Sequence, residues 1–198
     1  MFEYSCLTGN GSATISHFLR KTVNILRTAQ HPDITDLTGS ILHRKAARGI
    51  ILQDNNILLM YTRRYHDYSL PGGGIDDGES LKQGLIRELE EETGARNIRN
   101  IEPMGVYEEY RPWYKPEHDI MHMLSYCYFC TIDAELDAPR FEDYEMANGM
   151  EVVWINIHEA IEHNKTIIAG SDKKGLSIDR ETWLLEKIVE LRGGALSD

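Results

Sequence analysis

Three glutamates in the middle of the chain have a spacing that could bring their carboxylates together. Glu88, Glu91 and Glu92 lie at positions i, i+3 and i+4, and residues so spaced share one face of a helix. Like charges on adjacent turns repel one another, so such a face is either merely solvated or binds a cation. Hard divalent cations also use free backbone carbonyls as ligands. The run of three glycines at 72–74 offers such a carbonyl and favours a metal site.

A helix and a glycine loop must position these carboxylates. Residues 80–93 are rich in Leu, Glu, Arg and Lys, and Gly94 follows them as a C-terminal cap, so we predict a helix there. On this helix Leu81, Leu85 and Leu89 form an apolar stripe beside the glutamates. We therefore expect the acidic cluster at the exposed rim of a contact between the helix and a sheet, where a cleft can open.

Residues 73–95 resemble the sequence box of the Nudix family. The pattern G-x5-E-x7-R-E-U-x-E-E-x-G-U, where U is aliphatic, is met by Gly73, Glu79, Arg87, Glu88, Leu89, Glu91, Glu92 and Gly94. Ala95 is a mild departure at the last position, and it concerns local packing rather than chemistry. The resemblance implies an α/β (α+β) fold, a Nudix-like α/β/α sandwich with a mixed β-sheet between helices.

Carried onto this chain, the resemblance implies a role for each residue of the box. The expected cofactor is Mg²⁺ or Mn²⁺, and the implied ligands are Gly72, through its carbonyl, Glu88, Glu91 and Glu92. Arg87 would orient the glutamates. Glu79 would brace the loop and, through water, the surroundings of the metal. Activity would therefore require the divalent ion.

The implied reaction is attack of water on a phosphorus atom of a nucleoside diphosphate joined to another group. The expected substrate is a nucleoside triphosphate or a nucleotide sugar such as ADP-ribose. A general base is needed as well, and it could be a glutamate of the box or an acid on a later loop. We select Glu145 as the candidate, with Glu142 and Glu151 as alternatives.

Contacts to the substrate are predicted just before the glycine loop. Arg63, Arg64 and Tyr68 could pair with a phosphate or stack on a base, although they could also be plain surface residues. Trp113 and Tyr114 lie in a region rich in aromatic residues and prolines, and they could either read the substrate or cover the edge of the core.

Two other functions belong to the same family. A Nudix fold can bind nucleotides without cleaving them, so a non-catalytic sensing or binding module is the main alternative. The intact set of box glutamates argues against it, since such modules usually have damaged boxes. An isomerase acting on isoprenoid diphosphates would need cysteine and glutamate positions that we do not find.

The composition restricts the class of protein and its partners. The 198 residues, of which 41% are hydrophobic, suffice to bury a core. A net charge of −11 argues against polymeric nucleic acid and anionic membranes as partners and leaves a small nucleotide. The start of the chain lacks a secretory signal and no apolar run would cross a bilayer, so we expect a cytoplasmic protein. Cys127 and Cys130 would face opposite sides of a strand, which favours buried thiols over a zinc site.

The order of the elements completes the expected architecture. An amphipathic helix over residues 14–30 would belong to an N-terminal helical extension (1–40), which could cover the cleft or form a homodimer contact, before a Nudix hydrolase domain (41–198). Residues 46–52 and 57–62 are predicted as an antiparallel pair of strands. Further strands are predicted near 98–110, 121–132 and 151–155, and helices near 158–163 and 179–191.

Overall fold

The computed structural model describes residues 24–171 and 174–193. The strands are β1 (Ile25–Gln30), β2 (Ile41–Ile50), β3 (Leu52–Gln53), β4 (Asn56–Thr62), β5 (Asp67–Ser69), β6 (Arg99–Pro112), β7 (Ile120–Thr131) and β8 (Met150–Asn156). The helices are α1 (Leu81–Thr93), α2 (Asp143–Asn148), α3 (Ile157–Gly170) and α4 (Ile178–Leu191). Among these helices, none has the length and apolar character needed to cross a bilayer.

The strands form two sheets. One, which we call the mixed sheet, has the order β1-β6-β7-β2; β6 and β7 run antiparallel, while β1 runs parallel to β6 and β2 parallel to β7. The other, the antiparallel sheet, joins β4 to β3, β5 and β8. The predicted α+β class with a mixed sheet between helices is confirmed, and the strands are divided over two sheets.

Two apolar cores produce the layered arrangement. One core lies against α3 and α4 and contains Ile57, Leu59 and Leu184, and the other lies against α1 and contains Leu58 and Leu89. Alternate residues of β4 therefore enter opposite cores, as the two-residue period of a strand requires. The helices cover both sides of the strands.

The two cysteines of β7 follow the same alternation. Cys127 packs in the core beside α3 and α4, and Cys130 in the core beside α1, and both are buried free thiols. Burial raises the pKa of the Cys127 thiol to about 12 and that of Cys130 to about 11. The prediction of buried thiols on opposite sides of a strand is confirmed.

The predicted N-terminal helix is wrong where the structure describes it. Residues Ile25–Gln30 form β1, which pairs in parallel with β6, and the remainder of the expected helix, before residue 24, lies outside the described residues. In a short segment such as this one, the spacing of the apolar residues fits a helix and a strand equally well. Pairing with a distant strand then decides which of the two forms. The division of the chain at residue 40 and the homodimer contact remain predictions.

The expected antiparallel pair at 46–52 and 57–62 is correct only near the turn. β3 pairs with β4 in this way, whereas β2 pairs in parallel with β7 along its length. The chain passes between the two sheets at Ile51, whose carbonyl accepts a hydrogen bond of 3.0 Å from the Leu58 N–H. The later strands and helices are confirmed, and α2 and β5 are additional short elements that the sequence does not indicate.

Candidate active site

Helix α1 carries the acidic residues, and local sequence fixes both of its ends. The Ser80 hydroxyl accepts from the Gln83 N–H at 3.3 Å, and the Gln83 side chain accepts from the Ser80 N–H at 3.0 Å, which is a capping box. Gly94 ends the helix in the left-handed conformation with φ 68°. Leu85 and Leu89 are fully buried. The helix and its apolar stripe are as predicted.

The glycine loop lies along β2. The Gly49 N–H donates to the Pro71 carbonyl at 2.9 Å, and the Ala47 N–H donates to the Gly73 carbonyl at 3.0 Å. Gly72 has φ 124°, and a side chain there would collide with the Ala47 carbonyl oxygen. The backbone of β2 thus holds the loop beside α1.

Arg87 connects the loop with the acidic face of α1. Its Nε and Nη2 donate to the two carboxylate oxygens of Glu79 at 3.0 and 3.2 Å. Its Nη1 donates to Glu88 at 2.9 Å and to Glu91 at 3.3 Å, and Nη2 also donates to the Gly74 carbonyl at 3.0 Å. The bonds from Arg87 lower the pKa of Glu79. These contacts use the full set of N–H donors of a guanidinium group.

Glu92 points away from Arg87 into the protein. It is buried, and its Oε2 accepts from the Gly72 N–H at 2.5 Å. Burial raises the pKa of the Glu92 carboxyl, and the negative charges of Glu145 and Glu88 raise it further, against the opposing effects of Gly72 and Arg48. A positive charge close to Glu92 would oppose this rise in pKa.

The prediction that the acidic cluster occupies an exposed rim is wrong for Glu92. This residue lies three positions after the buried Leu89 and so continues the apolar stripe, and the glycine loop covers it. Glu88 and Glu91 are more accessible, with 14% and 38% of their side chains exposed. The carboxylates thus run from the interior to the surface.

The donor chemistry of this site fits a hard divalent cation. Every candidate ligand is an oxygen atom, which is the preference of Mg²⁺ and Mn²⁺. The observation that favours a cation is the placing of the Glu92 carboxyl in a buried environment with Glu145 and Glu88 close enough to raise its pKa. A cation bound there would remove the repulsion between these groups.

Two arginines contact the proposed ligands in this structure. Arg87 binds Glu88 and Glu91, and Arg48 donates to the Gly72 carbonyl. Within residues 24–171 and 174–193, no three His, Cys, Asp or Glu side chains converge in a way that could hold an ion. Metal binding would thus bring the carboxylates closer together, while Arg87 can keep its contacts because they use one oxygen each of Glu88 and Glu91.

Helix α2 brings an acidic residue to the box from a distant part of the chain. Glu145 is buried, and its carboxylate accepts from the Glu142 N–H at 2.8 Å and from the Tyr144 hydroxyl at 3.0 Å. The negative charge of Glu145 contributes to the raised pKa of Glu92. Of the two alternatives, Glu142 is the exposed N-cap of α2, and Glu151 forms an ion pair at the surface.

A cleft of about 470 Å³ opens beside Glu92 and the glycine loop. Arg44, Ala46 and Arg48 line it from one face of β2, and Arg111 lines it from the end of β6. These arginines are not among the site residues predicted from the sequence. The alternation of Arg, Ala and Arg in β2 is a signal that could have found two of them, because alternate residues of a strand share a face.

The residues predicted to bind the substrate lie outside the lining of this cleft. Arg63 pairs with Glu151, and Arg64 donates to a side chain of α2 at 3.1 Å. The ring of Tyr68 packs against that of His163 at 4.9 Å between centroids. The structure does not bring these three predicted residues to the box.

Part of the chain is similar to known proteins. The model of the NUDIX domain family matches residues 42–174. An RNA pyrophosphohydrolase of Pseudoalteromonas translucida is 43% identical over 54 residues, covering 26% of this chain and 31% of that protein. The RNA pyrophosphohydrolase of Vibrio cholerae is 46% identical over 48 residues, covering 23% of this chain and 28% of that protein. The chain thus spans less than a third of the length of these curated relatives.

A solved structure shares the fold. The MutT protein of Bacillus halodurans has a TM-score of 0.50 and 19% identity, and the match covers 74% of this chain and 82% of that one. A NUDIX hydrolase of Nitrosomonas europaea has a TM-score of 0.49 and 20% identity, over 74% of this chain and 90% of that one. Identities this low concern the fold rather than the activity. Because the family model matches more than half of the chain and includes the box, this protein belongs to the Nudix family.

Proposed function

We propose that this protein hydrolyses a phosphoanhydride bond in a nucleoside diphosphate linked to another group, with the help of a divalent metal ion. The observation that carries the proposal is the arrangement of carboxylates along α1, where Arg87 fixes two glutamates beside the buried Glu92. The names of the relatives, RNA pyrophosphohydrolases, support chemistry on diphosphates. The net charge of −11 favours a small nucleotide over a polymer.

Some residues of the box would bind the ion, and others position the ligands. A bound Mg²⁺ or Mn²⁺ would supply positive charge at the phosphoryl oxygens and acidify a water molecule. Arg87 positions two of the ligands, and Glu79 in turn fixes Arg87 through a two-pronged ion pair. The ligands that we assign to the metal are Gly72, Glu88, Glu91 and Glu92.

Glu145 is our candidate for the general base. It is buried close to Glu92, and its neighbour Tyr144 lines the cleft. A carboxylate can accept a proton from water when it lies within hydrogen-bonding reach of that water in the complex. Tyr144 and the Glu142 N–H hold the carboxylate in one orientation.

Substitution of Glu92 tests the proposed function. Glu92→Gln removes the charge but keeps an oxygen that can accept from the Gly72 N–H, so we expect an intact fold. We expect kcat/KM to fall by at least about 100-fold, because loss of a residue that only contacts a metal ligand lowers activity by about 10–100-fold. Chromatographic separation of the products formed from nucleoside triphosphates and nucleotide sugars, with Mg²⁺ or Mn²⁺ titrated, measures this, because a nucleotide sugar yields a nucleoside monophosphate and a sugar phosphate. Glu90→Gln, an exposed position on the same helix, is the matched control and should retain wild-type activity.

The outcomes separate the competing functions. An unchanged kcat/KM in Glu92→Gln would refute the assignment of this ligand. Metal-dependent nucleotide binding without turnover of any substrate by the wild-type protein would instead favour the sensing or binding module. In the same assays Glu145→Gln should lower kcat by a larger factor than it changes the Mg²⁺ concentration needed for half-maximal activity, as expected for a base that does not bind the ion.

A further inference from the structure

Three arginines lie on the same face of the mixed sheet. β7 separates β2 from β6, with Arg44 opposite Met123 and Arg111 opposite Met121. Residues two apart in a strand point to the same side, so Arg44 and Arg111 share that side with each other. Arg48, four positions after Arg44, shares it as well, and all three line the cleft beside the box.

The arginines have donors that the described residues leave unused. The Nε atoms of Arg48 and Arg111 are buried and have no hydrogen-bond partner within the described part of the chain. Glu109, the carboxylate nearest to Arg111 in sequence, already pairs with Arg180. Buried polar atoms are nearly always satisfied in folded proteins, so an orphan donor beside a cleft needs an acceptor from water or from a ligand. Such a ligand must supply acceptor atoms.

The charge of these three arginines is opposite to that of the whole chain, and Asp67, Glu92 and Glu181 also line the cleft. The protein carries a net charge of −11, yet these guanidinium groups gather in one cleft. Burial lowers the pKa of Arg111, and the charges of Arg180, Arg48 and Arg44 add to this effect against that of Glu109. An anion bound between the arginines would relieve their repulsion and occupy their free donors.

We propose that Arg44, Arg48 and Arg111 form a subsite for a terminal phosphate group, so that the cleft takes 5′-triphosphates in preference to nucleotide sugars. The inference rests on the proposed hydrolase function and narrows its substrate class. A guanidinium fork matches the geometry of phosphate oxygens, whereas the hydroxyls of a sugar are neutral and gain much less from three positive charges. Trp113 and Tyr114 line the same cleft and offer rings for stacking on a base.

Two substitutions test the subsite, and a third serves as control. Arg111→Gln and Arg44→Gln should each lower kcat/KM for a nucleoside triphosphate by roughly 10–100-fold, mostly through KM, because each removes charged hydrogen bonds. The same variants should change kcat/KM for UDP-glucose and ADP-ribose far less. Arg44 is exposed, so Arg44→Gln should fold even if the half-buried position 111 does not tolerate the change. Arg99→Gln, which removes a surface arginine of β6 paired with Asp133, should behave as wild type.

A second measurement does not depend on turnover. Inorganic tripolyphosphate, titrated calorimetrically in the absence of divalent ions, should bind the wild-type protein and lose roughly 10-fold or more in affinity in both arginine variants. A 5′-triphosphorylated oligoribonucleotide is assayed in parallel with the nucleoside triphosphate. The substrate with the higher kcat/KM shows whether the subsite takes the triphosphate of an RNA 5′ end or that of a free nucleotide. Turnover of either triphosphate with loss in the variants supports the subsite.

The failure of the subsite and the failure of the hydrolase can be told apart. Equal loss on triphosphates and nucleotide sugars, or unchanged tripolyphosphate affinity in both variants, would overturn the subsite even in an active enzyme. Arginine-dependent tripolyphosphate binding by a protein that hydrolyses none of the substrates would overturn the hydrolase and keep the subsite. Preferential hydrolysis of ADP-ribose or UDP-glucose over triphosphates would also overturn the proposed preference.

Discussion

At the glycine loop, the space around a single residue decides where a carboxylate of the box can lie. A Cβ atom added to Gly73 would lie 2.5 Å from Oε1 of Glu88. Gly73 does not have a positive φ, so the requirement is for space and not for a left-handed backbone. Gly72, by contrast, needs glycine for its backbone conformation as well. Adjacent glycines in the same loop thus serve different purposes.

Gly73→Ala should therefore impair catalysis more than folding. The atom that must give way is the end of a flexible side chain, so the protein can fold with the Glu88 carboxylate displaced. Misplacement of a reacting group by about 1 Å can lower a rate on the order of 100-fold, and we expect a fall in kcat/KM of roughly 10–100-fold. Gly170→Ala, where an added Cβ meets nothing within 4 Å, is the control. Wild-type kcat/KM in a folded Gly73→Ala protein would show that Glu88 can be displaced without consequence.

At the scale of elements, helix α4 supports the glycine loop from outside the region that matches the family. Arg180 lies in a buried group with Glu109 and Glu181, and its Nη2 lies 2.7 Å from Glu181. The other carboxylate oxygen of Glu181 accepts from the Leu70 N–H at 3.0 Å, just before the glycines. The match to the NUDIX domain ends at residue 174, so α4 lies beyond the matched residues.

Loss of this buried charge should destabilise the whole fold. Glu181→Gln leaves Arg180 paired with Glu109 and replaces a charged hydrogen-bond acceptor by a neutral one, which costs about 1.5–3 kcal/mol of unfolding free energy. Glu186→Gln on the same helix removes an exposed partner of Lys165 and should cost less than about 1 kcal/mol. Urea unfolding followed by circular dichroism measures both. Equal losses in the two variants would show that the buried group contributes nothing beyond a surface pair.

The elements also show which parts of this protein can be predicted from its sequence. Helix α1 and the box were predictable because their capping, propensity and carboxylate spacing act within a few turns. The strand β1 could not be predicted, because whether its residues form a strand or a helix depends on pairing with β6, far along the chain. Glu145 could be named as an acid, but its position next to Glu92 depends on α2, which is too short to signal itself. The placement of Arg111 beside the two arginines of β2 required the order of strands in the mixed sheet.

Across the whole molecule, carboxyl groups respond to folding in opposite directions. Burial raises the pKa of Asp67 to about 6, and the charge of Glu181 contributes to the rise. On the surface, the hydrogen bond from Arg96 lowers the pKa of Asp137. A group that binds its proton more tightly in the folded state stabilises the fold at low pH, and a group that binds it less tightly does so at high pH. The pH dependence of stability therefore contains terms of both signs.

Substitution of Asp67 should isolate one of these terms. The stability that protonated Asp67 contributes is fully present below its unfolded pKa of about 4 and is lost as the pH rises through about 6. The unfolding free energy of Asp67→Asn minus that of wild type should thus increase between about pH 4 and pH 6 and stay constant above. Asp137→Asn should show the opposite slope, with a loss of stability that is present at neutral pH and disappears in acid. Urea unfolding at a series of pH values tests both, and a pH-independent difference for Asp67→Asn would mean that its carboxyl has the same proton affinity in the folded and unfolded chain.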